Sequence, residues 1–241
     1  MRLEQVCSNI LNKNQDVLSI ILTGSRARGD NRNDSDYDIV FVTKKGNSYN
    51  LSKNYEKQIA EKADVNNGLM NVYLYPLWKF KKFYHKGNSF IYTTLRDGKI
   101  LASREKTKKC IKSLNLNFPN RLFYGAYDRL KFAKENLDFI RRYVKKFKWA
   151  IDDLGLERLG YCSMHLCWIA CMLDNFCPKS KYTALKESRK YFTEKEFETI
   201  KNAYRFYAHQ NTDRKISRKN FLKMHNSLNK IYERIRPGDF A

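Results

Sequence analysis

The first half of the chain alternates short apolar runs with longer segments in which apolar residues recur at helical spacing. Three of the runs are rich in branched side chains and are bounded by polar residues, as is typical of buried strands. They cover residues 17–22, 39–42 and 69–74. Apolar residues three or four positions apart predict helices over residues 1–13 and 51–63. The pattern therefore predicts a small sheet accompanied by helices.

Two further patterns follow the third of these strands. Asp97 and Gly98 separate two apolar runs within residues 90–101, which predicts a hairpin with a tight turn. Residues 104–112 are strongly basic and predict a connecting segment that reaches about residues 115–119. We expect the first domain to end there.

The second half of the chain has helical periodicity throughout. One long amphipathic helix is predicted over residues 122–147, a second over about 156–173 and a last one over 221–235. Thr193 and Glu196 have the spacing of a capping box and predict the start of another helix. Four or five amphipathic helices with short connections are typical of a bundle.

These patterns predict the α+β fold class, with two domains. Residues 1–117 are expected to form a small mixed β-sheet domain, and residues 118–241 a helical bundle domain. A chain of 241 residues can give each domain its own core. Its 42% hydrophobic and 14% aromatic residues fit a folded protein rather than a disordered one.

The chain is strongly basic along its whole length. It has 47 Lys and Arg against 25 Asp and Glu, a formal charge of +22. Residues 1–117 contribute +10 and the remainder +12, so the excess is not confined to a tail. A field of this sign attracts polyanions such as RNA, and it disfavours a polycationic substrate unless a local acidic pocket overrides it.

The six cysteines and the apolar segments bear on the cellular environment. No charged and then apolar leader precedes Cys7, and the apolar run around residues 162–173 is too short to span a bilayer. We therefore expect a reduced, soluble, cytoplasmic protein that does not contact a membrane. Its oligomeric state stays open.

The residues with candidate chemistry lie between the first two predicted strands. Gly24 and Ser25 follow the first strand, where a glycine turn and a hydroxyl can present donors to phosphate. Asp36 and Asp38 are two positions apart at the start of the second, so their carboxylates are expected on the same face while Tyr37 points away. Paired carboxylates are hard oxygen ligands that suit Mg²⁺. This combination suggests chemistry on a nucleoside triphosphate.

The same stretch resembles the motif of nucleotidyltransferases in the DNA polymerase β superfamily, particularly their minimal and antibiotic-modifying branches. The positions that match the motif are Gly24, Ser25, Ala27, Arg28, Gly29, Ser35, Asp36 and Asp38. The resemblance implies transfer of a nucleoside monophosphate from an NTP to an acceptor hydroxyl. The helical second half is similar to the bundles that accompany such domains.

The resemblance also implies roles for individual residues. Asp36 and Asp38 would be the catalytic residues and would bind one or two Mg²⁺ ions. The NTP would be bound by Gly24, Ser25, Arg28 and Ser35. Arg26 is either a second arginine for the pyrophosphate or an exposed helix position.

The third predicted strand departs from the superfamily pattern. A further carboxylate is normal there, often as the base for the acceptor hydroxyl, but the aligned residue is Asn71. An amide keeps the acceptor oxygen and loses the charge and the basicity. Asp64 lies nearby but needs a different register. Either another residue supplies the acid, or metal binding and proton removal are weakened.

Residues 77–84 interleave aromatic rings with lysines and allow two interpretations. In the first, they form a surface helix whose Trp78 and Phe83 face the core. In the second, they form a basic aromatic ledge for nucleic acid. The pattern favours the first.

Two patterns in the second half suggest other chemistry but fit it poorly. Cys167 and Cys171 share a helix face, yet their neighbours are apolar and the paired CxxC spacing of a structural zinc site is absent. Arg205 and His209 are separated by three residues, whereas HEPN ribonucleases typically have four to six. A packing role is favoured for the cysteines, and an ordinary position at a helix end is favoured for His209.

The acceptor is open between several classes. Nucleic acid, such as a transfer RNA end, or a protein side chain fits the positive charge best. A lincosamide or an aminoglycoside is the alternative, and Asp152, Asp153 and Glu157 could supply the acids that an aminoglycoside needs. A catalytically weak module that only binds nucleotide or nucleic acid is the third possibility, because of Asn71.

Overall fold

The structure is a computed structural model of the chain, and it has the predicted α+β fold class. It describes residues 1–31, 33, 35–46, 49–63, 65, 69–114, 121–146, 152–207 and 216–236. The chain divides into two compact units, residues 1–119 and 120–241, which are described separately below. The predicted link at residues 115–119 lies outside the described residues, so the domain boundary at 117 stays a prediction.

A four-stranded mixed sheet forms the centre of the first unit. Its strands are β1 (Val17–Thr23), β2 (Tyr37–Thr43), β3 (Met70–Pro76) and β4 (Lys99–Ser103), in the order β3-β2-β1-β4. β1 pairs antiparallel with both β2 and β4, whereas β2 and β3 are parallel. The three strands predicted from apolar runs are confirmed. The end of β1 and the starts of β2 and β3 consequently lie at one edge of the sheet.

Six helices in the described part of the first unit accompany this sheet. They are α1 (Leu3–Lys13), α2 (Gly24–Arg28), α3 (Tyr49–Ala63), α4 (Leu77–His85), α5 (Ser89–Asp97) and α6 (Glu105–Lys112). Apolar residues of α1 and α3 pack with Ile20 and Phe41 in one core cluster. Residues of α4, α5 and α6 pack with Ile21 and Val40 in a second cluster. The two clusters cover opposite faces of the sheet, since neighbouring strand residues point to opposite sides.

The predicted hairpin over residues 90–101 is wrong, because its first half is helix α5. Asn88 caps this helix by accepting hydrogen bonds at 3.1 Å from the backbone N–H groups of Phe90 and Ile91. Gly98 has an ordinary φ of −72°, not the left-handed conformation that a two-residue hairpin turn favours. The basic residues 104–112, predicted as a connection, are mostly helix α6.

The described part of the second unit is helical. Its α-helices are α7 (Arg121–Lys146), α8 (Asp153–Leu173), α9 (Lys181–Ser188), α10 (Glu194–Tyr207) and α11 (Arg218–Ile235). The capping box is confirmed, since Glu196 accepts a 2.9 Å hydrogen bond from the Thr193 N–H and returns one from its own N–H to the Thr193 hydroxyl. Among the described residues, no helix is both long and apolar enough to cross a bilayer.

Candidate active site

Gly24 and Asp38 are brought against each other where β1 ends and β2 begins. Thr23, the last residue of β1, pairs with Asp38 across the antiparallel ladder. Gly24 follows with a φ of +75°, and a Cβ atom there would lie 2.6 Å from the Asp38 Oδ2. Any other residue at position 24 would be strained and would collide with this carboxylate. The glycine therefore lets the backbone turn directly over Asp38.

The other oxygen of Asp38 faces β3. In the parallel register Asp38 stands opposite Asn71, and Tyr73 lies two residues further along the same side of β3. The Asn71 amide and the Tyr73 hydroxyl each donate a hydrogen bond of 3.4 Å to the Asp38 Oδ1. One carboxylate oxygen is thus held by two neutral donors, while the other faces Gly24.

The Tyr73 hydroxyl remains a hydrogen-bond donor to Asp38 because it stays protonated. Burial raises the pKa of its hydroxyl above the ordinary value, and the negative charges of Asp38 and, more weakly, Asp36 raise it further. The hydroxyl consequently keeps its proton at neutral pH. Asp36 itself is exposed and precedes the first residue of β2.

Arg26 fixes the loop that leads into the aspartates, a role that the sequence pattern did not reveal. Its Nε donates to the Ser35 carbonyl at 2.9 Å and its guanidinium to the Asn33 carbonyl at 3.3 Å. The same guanidinium lies 3.8 Å from the centre of the Tyr37 ring. Arg26 is half-buried rather than exposed, and a role toward the pyrophosphate stays a prediction.

The predicted phosphate-binding residues lie along α2 and the following loop. Ser25 is half-buried at the second position of α2, and its carbonyl accepts a 2.9 Å hydrogen bond from Gly29, whose φ of +79° ends the helix. Arg28 forms an ion pair with Asp30 at 3.1 Å, and its side chain is 18% exposed. Ser35 contributes its carbonyl to Arg26. Their roles toward an NTP stay predictions.

Helix α5 supports the turn from behind. The Thr94 and Thr23 hydroxyls are joined by a 3.3 Å hydrogen bond, in a buried position directly before Gly24. Gly98 passes so close to α5 that a Cβ there would lie 2.2 Å from the Thr94 carbonyl. The segment that was expected to be a hairpin is therefore a brace for the glycine turn.

The acidic residues at this end of the sheet suit a hard cation, but they offer it few protein ligands. In the part of the chain that the structure describes, no group of three or more His, Cys, Asp or Glu residues could hold a metal ion. Asp36 and Asp38 offer carboxylate oxygens, the ligand type that Mg²⁺ prefers, and Mg²⁺ usually takes its remaining ligands from phosphate and water. Asp64, the other candidate for a third acid, lies outside the described residues.

Helix α4 departs from the favoured prediction. Phe80 and Tyr84 face the core, whereas Trp78 is 62% exposed. Phe83 is half-buried against the core cluster, so the prediction was wrong for Trp78 only.

Four described residues of the second unit that could suggest other chemistry are buried, partly buried or occupied in a helix cap. Cys167 and Cys171 are buried, and burial raises the pKa of each thiol to about 12, so both stay neutral. Burial, and then the nearby Arg129, lowers the pKa of His165 to about 3. Asp152 caps α8 by accepting a 3.0 Å hydrogen bond from the Gly155 N–H. His209 lies outside the described residues.

The glycine turn over Asp38 agrees with the predicted resemblance to nucleotidyltransferases. Residues 5–107 match the family model described as "Polymerase beta, Nucleotidyltransferase", which confirms the resemblance for this part of the chain. No curated protein sequence matches the chain.

One solved structure shares the fold at low sequence identity, and two others show a weaker likeness. Spectinomycin adenyltransferase AAD(9) from Enterococcus faecialis, solved with ATP and spectinomycin, is 14% identical, with a TM-score of 0.57 and 98% of both chains covered. A nucleotidyltransferase-like protein from Exiguobacterium sibiricum is 11% identical (TM-score 0.43), with 96% of this chain and 75% of that chain covered. A toxin–antitoxin structure with AMP-PNP is 15% identical (TM-score 0.34), with 45% and 79% covered.

Proposed function

We propose that this protein transfers a nucleoside monophosphate from an NTP to an acceptor hydroxyl and releases pyrophosphate. The observation that carries the proposal is the apposition of Gly24 and Asp38, where only a glycine leaves room for the carboxylate. This contact joins the two halves of the superfamily motif, and it falls within the residues that match the nucleotidyltransferase family model.

Each residue of the edge has a separate task in this proposal. Asp36 and Asp38 hold Mg²⁺, which would orient the triphosphate and stabilise the charge of the transition state when bound. Ser25 and the first backbone N–H groups of α2, which have no acceptor within the helix, bind triphosphate oxygens. Arg28 exchanges its ion pair with Asp30 for the leaving pyrophosphate. Arg26 keeps the loop between them in place.

Asn71 changes what the site can do with the acceptor proton. Its amide donates to Asp38 and cannot accept a proton, so this position supplies no general base. A slow enzyme, or one whose acceptor hydroxyl is unusually reactive, follows from the same geometry. A module that binds nucleotide without transferring it is the limiting case, and the experiment below would reveal it.

The charge favours a nucleic acid as the acceptor. The formal charge of +22 attracts a polyanion, and a protein side chain is a weaker fit to the same field. A small antibiotic is the second candidate. It is favoured by the likeness of fold to spectinomycin adenyltransferase, which extends over 98% of both chains.

Transfer assays with each of the four NTPs, labelled at the α-phosphate, test the proposal. The protein is incubated with Mg²⁺ and either total RNA or spectinomycin. We expect label on RNA, whereas label on spectinomycin would favour the small-molecule acceptor. Loss of label in Asp36→Asn with Asp38→Asn, but not in the control Asp16→Asn with Glu61→Gln, would assign transfer to the paired aspartates. Binding of NTP with no transfer to any acceptor would overturn the enzymatic proposal.

A further inference from the structure

The solvent side of α4 carries an exposed tryptophan in line with basic residues. Trp78, Lys82 and His85 lie four and then three positions apart, so they form one stripe on the helix, and all three are exposed. Lys81 is half-buried beside this stripe. Trp78 is 62% exposed, and in the part of the first unit that is described, Met1 is the other large hydrophobic residue with a comparable exposure.

The opposite side of α4 explains why Trp78 stays outside. Phe80 and Tyr84, four positions apart, are 0% and 3% exposed and anchor the helix to the core beneath it. Phe83 is half-buried between the core side and the solvent side of α4, and the Lys79 ammonium lies 5.5 Å from the centre of its ring. The core contacts of α4 are thus complete without Trp78. Its ring is an accessible flat surface rather than a misplaced core residue.

The charge around this stripe has a single sign over a long stretch. There is no Asp or Glu between residues 65 and 96, whereas α4 and the residue after it contribute Lys79, Lys81, Lys82 and Lys86. Helix α6, which packs on the same face of the sheet through Ile111, adds the exposed Lys106, Lys109 and Lys112 against one acid, Glu105. A flat aromatic ring among cations of one sign is complementary to stacked bases on a phosphate backbone.

We propose that this face of α4 binds single-stranded nucleic acid, with a base stacked on Trp78 and phosphates on Lys81 and Lys82. The inference deepens the proposed function and rests on it in one respect, which is that the bound strand is the acceptor of the transfer. Binding itself requires no NTP and no transfer.

The position of α4 indicates the size of the ligand. Asn71 is the second residue of β3, so the five residue steps from Asn71 to Pro76, at about 3.3 Å each, place the start of α4 about 17 Å from Asn71. A drug-sized acceptor cannot contact both places. A strand of several nucleotides can reach from the stripe to the edge that holds Asp38.

Tryptophan fluorescence makes the proposal directly testable on the full chain. Titration with a single-stranded RNA of about 12 nucleotides should quench the emission of Trp78. Trp78→Ala should weaken binding about tenfold or more, because base stacking on an aromatic ring is lost. Trp78→Phe should keep binding within about threefold while the quenching disappears, since phenylalanine still stacks. Tyr182→Ala, which removes an aromatic residue that is 71% exposed, should bind as the unaltered protein does.

Salt dependence tests the lysines separately. Loss of two phosphate contacts in Lys81→Ala with Lys82→Ala should reduce the slope of log affinity against log salt by about 1.4. The control Lys57→Ala with Lys62→Ala removes the same charge from exposed positions of α3.

Equal effects of the two lysine pairs, or unchanged RNA affinity in Trp78→Ala, would overturn the assignment of this face. The double variant Asp36→Asn with Asp38→Asn should still bind RNA and quench. Loss of transfer with binding intact therefore affects the catalytic assignment alone. Transfer to a small acceptor without RNA binding would refute this inference and leave the transferase proposal standing.

Discussion

Asp38 has very different neighbours on its two sides. On the β1 side, Gly24 approaches so closely that a single added carbon would lie 2.6 Å from Oδ2. On the β3 side, two neutral donors, Asn71 and Tyr73, reach Oδ1 from 3.4 Å. The first side follows the superfamily motif, and the second side departs from it. The steric requirement around the carboxylate is therefore kept while the charge beside it is lost.

The two sides of Asp38 therefore control different properties of the site, namely its backbone geometry and its negative charge. The glycine side controls where the backbone can turn, and a change there would displace the whole edge. The β3 side controls how much negative charge faces a cation, and a change there would leave the backbone unaffected. Substitutions on the two sides should consequently have effects of different size and kind.

The largest effect is expected for Gly24→Ala. The new Cβ would collide with Asp38, and the φ of +75° would be strained by about 1–3 kcal/mol. Transfer should fall by at least about 100-fold, because the carboxylate is displaced by more than a tolerable fraction of an ångström. Urea unfolding and transfer assays measure the two effects.

Gly29→Ala is the matched control for this substitution. Gly29 has a similar φ of +79°, but among the described residues nothing lies within 4 Å of the position of its Cβ. Its strain should be similar and its loss of transfer much smaller. Equal losses of transfer in both variants would show that the Gly24–Asp38 contact has no special importance.

A gain is expected for Asn71→Asp. The added carboxylate would stand opposite Asp38 in the register and would attract a divalent cation to this edge. Mn²⁺ affinity, measured by calorimetry, should rise about tenfold, and the rate of transfer should rise with it. Asn54→Asp adds the same charge at an exposed position of α3 and should change neither quantity. Unchanged Mn²⁺ affinity in Asn71→Asp would mean that the β3 side does not face the metal.

The smallest effect is expected for Tyr73→Phe, which removes one of the two hydrogen bonds to Oδ1. The loss of stability should be about 0.5–1.5 kcal/mol at neutral pH. Because burial and Asp38 raise the pKa of Tyr73 in the folded state, its hydroxyl stabilises the fold below pH 10, and this contribution is lost as the pH rises above that value.

Unfolding midpoints between neutral and alkaline pH check the sign of this effect. The unaltered protein should lose more stability above about pH 10 than Tyr73→Phe does. Tyr182→Phe, at an exposed position, should follow the unaltered protein. Parallel curves for Tyr73→Phe and the unaltered protein would contradict the burial of the Tyr73 hydroxyl beside Asp38.

The sequence predicted those parts of the fold that depend on local pattern. The buried strands follow from branched apolar runs, the capping box from its spacing, and the pairing of Asn71 with Asp38 agrees with the register assumed for the third strand. The hairpin predicted at Asp97-Gly98 was wrong for two reasons. Gly98 does not adopt the backbone angles of a hairpin turn, and the segment before it is a helix capped by Asn88.

The contacts that could not be predicted join distant residues. Arg26 binds carbonyls seven and nine residues away and stacks on Tyr37, which depends on the path of the loop rather than on any spacing. The exposure of Trp78 depends on which of four aromatic residues in α4 the core accepts, and this is decided by packing against β2 and β3. Such outcomes belong to tertiary structure.

Binding of Mn²⁺ together with a non-hydrolysable NTP analogue tests the central claim most directly, because it needs neither acceptor nor turnover. Calorimetry should detect tight, metal-dependent nucleotide binding to the unaltered protein and to Asp16→Asn with Glu61→Gln. Binding to Asp36→Asn with Asp38→Asn should be at least about tenfold weaker, at an unchanged unfolding midpoint. Equal affinity in all three proteins would contradict the assignment of Asp36 and Asp38 as the residues that hold the metal and its triphosphate.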